Sequence, residues 1–302
     1  MTAPAVVFEG VRRRFGGNIA LDGVGFTVAP GSVLGLLGRN GAGKTTALRL
    51  ALGVLWPDTG RIRTLGLDPV SQGREVATRV ALLSEEAALY PWMTVAEIVR
   101  FTGALHPRWD KALAARLSSE LDLDPRKRIR ELSRGTRAKV ALVLAVAARP
   151  ELLLLDDPTA GLDPLVRREV LDGVLQAVAD EGGAVVYASH LVHDVERVAD
   201  RVIVLDGGAI RLEADLEDLK ARIRRARAVF DGDAPRVADV HGAIDAIADG
   251  RLLTITADAQ EGALETALRN LGAREVAIES LPLEEILVAL LREGRVKGAA
   301  YV

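Results

Sequence analysis

The hydrophobic period changes several times along this chain, and each change predicts an element. From Val6 to Phe26 the text "VVFEGVRRRFGGNIALDGVGF" is short-range and broken by glycine, which predicts antiparallel strands joined by turns. "SVLGLLG" is then a short, fully apolar run, as expected of a strand buried on both faces, and "KTTALRLALGVL" behind it has helical spacing. Between Pro91 and Pro150 the chain reads as mostly helical and alanine-rich, with turn signals at "HPRWD" and "DLDPRKR". After it come strand ("ELLLLDD"), helix ("PLVRREVLDGVLQAVADEGG"), strand ("AVVYASH"), helix ("LVHDVERVAD") and strand ("RVIVLDGG"). Such alternation predicts an α/β fold around a mostly parallel sheet covered on both faces.

A compositional shift near Asp215 opens a second pattern, in which "GRLLTITAD", "GALETALRNLG", "AREVAIES" and "PLEEILVALLREG" alternate strand and helix at short intervals. Residues 219–302 therefore read as a small accessory α+β domain of ferredoxin-like character with a closing helix, after a larger domain over 1–218. The basic run "KARIRRARA", Lys220 to Ala228, reads as a linker helix with a solvated face.

Composition narrows the function classes. The chain has 302 residues, 49% of them hydrophobic, enough for a large core. Thirty-nine basic against 42 acidic residues give a net charge of −3, so no global basic field points to nucleic acid. The absence of cysteine excludes disulfides, thiolate metal sites and a cysteine nucleophile, and sits with a reducing cytosol. The start lacks the layout of a secretory signal, and no apolar run reaches the roughly 18 residues of a membrane span.

Two stretches carry chemistry. "GRNGAGKT", Gly38 to Thr45, matches the phosphate-binding pattern G-x-x-x-x-G-K-[ST] between an apolar strand and a helix. Gly38, Gly41 and Gly43 let backbone amides turn inward around a phosphate chain at a helix N-terminus. Lys44 is then placed to neutralise β- and γ-phosphates, and the Thr45 hydroxyl to ligate Mg²⁺. The second stretch, "LLLLDDPTAGLDP", ends a buried strand in two carboxylates. Asp156 supplies the Mg²⁺ carboxylate that a phosphate loop needs from a neighbouring strand, and Asp157 is placed to orient or deprotonate the attacking water.

Together with "LSRGT" (Leu132 to Thr136) and "ASH" ending at His190, these motifs resemble the nucleotide-binding subunit of ATP-binding cassette (ABC) transporters, in the right order from about Val6 to Asp218. The resemblance implies a P-loop cassette with a parallel-sheet core, an antiparallel β subdomain and a helical subdomain at about 87–150. It implies ATP and Mg²⁺ as ligands, with Asn40 and Thr46 in the phosphate loop. It also implies a homodimer or heterodimer of cassettes with two ATP at the interface and a separate transmembrane permease as partner, which would place the chain in the cytoplasm, peripheral on the inner face of the cell membrane. Ser133 and Gly135 correspond to the signature that caps the γ-phosphate held by the opposite subunit, although Ser133 also reads as an ordinary N-cap. Asp163 resembles the acid of the loop that crosses the dimer interface, His190 the switch histidine, and Phe15 the aromatic that stacks on adenine. A lone Phe is also a common core residue, and His193 with Asp194 forms a conceivable metal pair.

Two departures from the family pattern bear on catalysis. The residue after the Mg²⁺ aspartate is usually Glu and here is Asp157; one methylene withdraws the carboxylate by about 1 Å, a misplacement able to cost around a hundredfold in rate. Where the family usually has Gln contacting Mg²⁺ and water, the best-aligned residue is Glu85. The expected function is an ATPase that powers an exporter, with a slowly hydrolysing or non-hydrolysing ATP-gated regulatory cassette as the alternative. "ESLPLEEILVALLREG" resembles a closing segment of exporter cassettes and favours export. Tyr90 and Trp92 lie in a segment that resembles the groove for a permease helix; internal packing explains them equally well.

Overall fold

The computed structural model describes residues 3–84, 89–179, 182–235, 240 and 242–292. It divides into two compact units, Met1–Ala199 with Ile203–Ile210, and Asp200–Val202 with Arg211–Val302.

In the first unit, β1 (Val6–Phe15), β2 (Asn18–Val28) and β4 (Thr59–Thr64) form an antiparallel sheet in the order β2-β1-β4. Alternation puts Phe8 and Phe26 on the buried face, where their rings stack with centroids 4.6 Å apart. The larger sheet has the order β5-β6-β7-β3-β8-β9, built from β3 (Val33–Leu37), β5 (Val80–Ser84), β6 (Leu152–Asp156), β7 (Ala184–Ser189), β8 (Arg201–Asp206) and β9 (Ala209–Asp215). The pairs β5/β6, β6/β7 and β7/β3 are parallel. All five residues of β3 and Leu152–Leu155 of β6 are buried, as the apolar runs predict for a sheet covered on both faces. Burying each of those leucines is worth about 1.5–3 kcal/mol.

Helices α1 (Lys44–Ala51), α2 (Gly73–Arg79), α6 (Pro164–Ala179) and α7 (Val192–Val198) connect these strands. The helical layer consists of α3 (Val95–Leu105), α4 (Lys111–Glu120) and α5 (Arg134–Ala147). Its starts are chemically marked: Thr94 and Glu97 form a reciprocal capping box on α3, Asp110 accepts from Leu113 N–H on α4, and Ser133 accepts from Thr136 N–H on α5.

The second unit holds α8 (Leu216–Arg222), β10 (Ile223–Phe230), β11 (Ala243–Asp249), β12 (Leu252–Asp258), α9 (Glu261–Asn270), β13 (Ala273–Ser280) and α10 (Leu283–Arg292). Its sheet is fully antiparallel in the order β11-β12-β10-β13, the strand order of a ferredoxin-like split arrangement. Here the reading of Lys220–Ala228 as a linker helix is corrected. Only its first residues are helical; the rest is β10, a central strand. Ala226, Ala228 and Phe230 alternate into the core with Leu264 and Leu268 of α9, so arginines on the opposite face follow the period of two and not a helical stripe.

Candidate functional site

The parallel register lines up the carboxyl ends of the central strands. Ser84 pairs with Asp156, Asp156 with Ala188, and Ser189 with Leu37, the last residue before the glycine loop. In open α/β sheets this edge is where ligands bind. A cleft of about 500 Å³ opens there, lined by residues of the loop and of α1, by Ser84, Asp156 and Asp157, and by Ala20.

The loop is shaped by close approach. A Cβ at Gly38 would stand 2.5 Å from the Leu205 carbonyl oxygen, and Gly43, with φ +109°, would place one 2.4 Å from that of Ala20. Only glycine fits either position. Lys44 begins α1 and is 5% exposed; its Nζ donates to the carbonyl oxygens of Gly38 at 2.7 Å and Arg39 at 3.3 Å. Burial lowers its pKa, against the opposing pull of Asp157 and Asp156. Thr45 Oγ1 donates to Asp156 Oδ1 at 3.0 Å. Burial raises the Asp156 carboxyl above its ordinary value; the Thr45 hydrogen bond opposes that and the neighbouring Asp157 charge adds to it.

Asp157 leaves the strand differently. Its φ of +45° is left-handed, a region that Asp tolerates better than most residues, and its N–H donates to Ala188 O at 2.9 Å. That turn aims the side chain along the end of β7. Asp157 Oδ1 meets three groups: Ser189 Oγ at 3.0 Å, the His190 N–H at 3.1 Å and His190 Nδ1 at 2.8 Å. Oδ2 lies 3.9 Å from Lys44 Nζ. Two carboxylates thus face one buried lysine, an arrangement whose excess negative charge fits a divalent cation. Thr45 and Asp156 are the residues that would hold Mg²⁺, which when bound would neutralise phosphate charge.

Of the other residues named from sequence, Asn40 and Thr46 line the cleft beside Gly41 and Gly43. Phe15, Ser133, Gly135 and Asp163 do not line it. Phe15 is 44% exposed with the Arg13 guanidinium 4.7 Å from its ring centroid. Ser133 and Gly135 open α5, and Asp163 Oδ1 accepts the N–H groups of Leu165 and Val166 at 3.1 Å, starting α6. Glu85 lies outside the described residues. His193 and Asp194 form no metal pair: His193 is exposed, Asp194 turns into the interior, and no metal-binding cluster occurs among the described residues. Tyr90 and Trp92 are exposed and gather with Phe101, with centroids 5.1 and 5.5 Å from Tyr90. Sequence reasoning passed over Ser189, Ser84, Arg39 and Arg49. Ser189 directly precedes His190, the one available signal; Ser84 is placed by strand register, Arg39 lies in the glycine loop and Arg49 on α1.

Comparison with known proteins identifies the family. Residues 21–160 match the family model described as ABC transporter. Relatives include a daunorubicin resistance ATP-binding protein, DrrA3, from Streptomyces coeruleorubidus, 34% identical over 99% of this chain and 100% of its own length. Another is a Nod factor export ATP-binding protein I from Rhizobium etli, 32% identical over 72% of this chain and 71% of its own length. Among solved structures, an ATP-binding subunit of an ABC transporter superposes with a TM-score of 0.65 at 25% identity, covering 72% of this chain and 92% of that one. Motif order, the cleft at the carboxyl edge of the sheet and full-length similarity converge: the chain belongs to the ATP-binding subunits of ABC transporters.

Proposed function

We propose that this chain is a Mg²⁺-dependent ATPase that drives a separate transmembrane exporter, with Asp157 as its catalytic carboxylate. The observation that carries the reading is the convergence of Lys44, Thr45, Asp156, Asp157 and His190 at adjoining strand ends. Lys44 neutralises the terminal phosphates; Asp157 accepts a proton from, or orients, the attacking water; His190 holds Asp157 through Nδ1 and presents its other nitrogen to the γ-phosphate. Glu85 adds an acid near the ion, and Phe15 stacks on adenine, its second face backed by Arg13.

In this reading two cassettes, alike or different, close on two ATP, with Ser133, Gly135 and Asp163 reaching the nucleotide of the other copy. Tyr90, Trp92 and Phe101 anchor the permease, because large exposed aromatics gathered on one surface are the residues that carry interface energy. The permease keeps the chain on the inner face of the cell membrane; no helix of the described residues is long and apolar enough to cross one. Export is favoured because the full-length similarity, C-terminal domain included, is to a drug-resistance subunit. The domains are a cassette over 1–218 and an accessory domain over 219–302.

The short Asp157 side chain, already engaged by three groups on one oxygen, makes slow hydrolysis part of the proposal. The test is the Mg²⁺-ATP turnover of the chain with its copurified membrane protein, for wild type, Asp157→Asn and Asp157→Glu. Turnover that stops in the Asn variant supports the reading. If wild type and Asn are equally idle and Glu awakens activity, the chain is an ATP-gated regulatory clamp instead.

A further inference from the structure

Behind the Asp157–His190 contact lies a second set of polar groups that the proposed chemistry does not use. Thr159 and Tyr187 have no exposed surface, and Asp194 is 1% exposed. Thr159 Oγ1 donates to Asp194 Oδ2 at 2.6 Å and stands 3.2 Å from the Tyr187 hydroxyl. A hydroxyl has one proton, and that of Thr159 is committed to the carboxylate; Tyr187 must therefore donate to Thr159. Burial raises the Tyr187 pKa, which keeps the phenol in its donating form. The Arg167 guanidinium approaches Asp194 Oδ2 at 3.7 Å without hydrogen-bonding it through Nε. Asp194 thus relies on the Thr159 hydroxyl as its closest neutral donor, with an arginine charge behind.

The placement of these groups along the chain gives them meaning. Thr159 follows Asp157 by one intervening proline, on the loop that leaves β6. Tyr187 lies on β7, just before the turn that carries His190, and Asp194 lies on α7, just after it. The two segments therefore meet at two separated places: in front, where the Asp157 N–H donates to Ala188 O and Asp157 Oδ1 meets Ser189 Oγ, the His190 N–H and His190 Nδ1, and buried behind through Thr159 and Asp194. The front contacts all gather on Asp157, and a second contact two residues further along fixes the angle of the loop as well as its distance. Asp157 needs that support, because its left-handed backbone and short side chain leave little reach to correct an error.

We propose that Thr159 and Asp194 are positioning residues: a buried brace that sets the orientation of the Asp157 carboxylate against the His190 ring, and through it the rate of hydrolysis. The kinetic part of this inference rests on the proposed ATPase reading; the geometric part does not.

The test compares full-length wild type, Thr159→Val, which keeps the shape and removes the hydroxyl, and Thr159→Ser, which restores it. Two readouts are taken: steady-state Mg²⁺-ATP hydrolysis, and ring ¹⁵N NMR of His190, assignable because the chain has four histidines. The Val variant is expected to lower kcat about tenfold while ATP KM stays within about twofold, since Lys44, Thr45 and Asp156 are untouched. Its His190 Nδ1 resonance should move away from the wild-type position, and Ser should return both readouts toward wild type. A Val variant with wild-type kcat and wild-type His190 signals overturns the brace, as does a Ser variant that fails as badly as Val. Should the wild type not hydrolyse ATP at all, the ATPase reading fails alone. The His190 resonances of Val and Ser then still decide the brace.

Discussion

Two of the sheets of this protein, the parallel one and that of the second unit, handle charge in opposite ways. At the carboxyl edge of the parallel sheet, Asp156 and Asp157 face one buried lysine; burial pushes the Asp156 pKa up and the Lys44 pKa down. On the antiparallel sheet of the second unit and its flanking helices, opposite charges are matched in pairs. Arg222 meets Asp258, Arg225 meets Glu285 at 2.6 Å and Glu279 at 3.9 Å, and Arg227 meets Glu279 at 3.4 Å. Matched surface charge is satisfied within the chain, whereas converging carboxylates at a strand end leave an excess of negative charge that a bound cation would offset. The contrast supports the proposal that the chemistry belongs to the first unit.

The strongest way to break this comparison is Lys44→Ala, which removes the buried cation from the cleft. ATP affinity should fall about a hundredfold or more, measured by calorimetry, because truncating a buried charge partner costs about 2–5 kcal/mol. The matching insult to the second unit is Leu268→Ala, at a position with no exposed surface. It should lower thermal stability by about 2–5 kcal/mol through the cavity left in the core. ATP KM should remain within about twofold; a tenfold rise would mean that the second unit shapes the nucleotide site after all.

A smaller effect is expected at Glu151, at the foot of β6. Its carboxylate accepts from Arg79 Nε at 2.9 Å and Nη2 at 2.7 Å, and from Arg108 Nη1 at 2.8 Å. The Arg79 hydrogen bonds, helped by the charges of Arg79 and Arg108, hold its pKa below the usual carboxylate value. A pKa depressed by folding adds stability above the unfolded value, and this is lost as pH falls through the folded one. Glu151→Gln should therefore cost about 0.5–1 kcal/mol near neutral pH after solvent screening, and the gap from wild type should close on acidification in chemical denaturation curves. The smallest change is expected from Arg227→Ala, whose side chain is 58% exposed beside Glu279. It should shift stability by less than about 0.5 kcal/mol and leave hydrolysis unaltered.

The fold class was legible because its signals are local. Apolar runs ending in glycine or aspartate mark parallel strands, and the glycine loop, Lys44 and Thr45 are contiguous in sequence. The basic run at Lys220–Ala228 misled because five cations outweigh the quieter alternation of Ala226, Ala228 and Phe230, which placed it in a sheet core. The buried set of Tyr187, Thr159 and Asp194 had no periodic signature, since each is a single polar residue on a different element.

The sequence by itself determined that a glycine loop with Lys44 and Thr45 follows one buried strand and that two carboxylates end another, because those features are made by neighbours along the chain. Only the tertiary structure decided what Asp157 touches. The parallel register of β6 and β7 and the left-handed turn at Asp157 bring Ser189 and His190 to its carboxylate, and no spacing within either segment encodes that meeting.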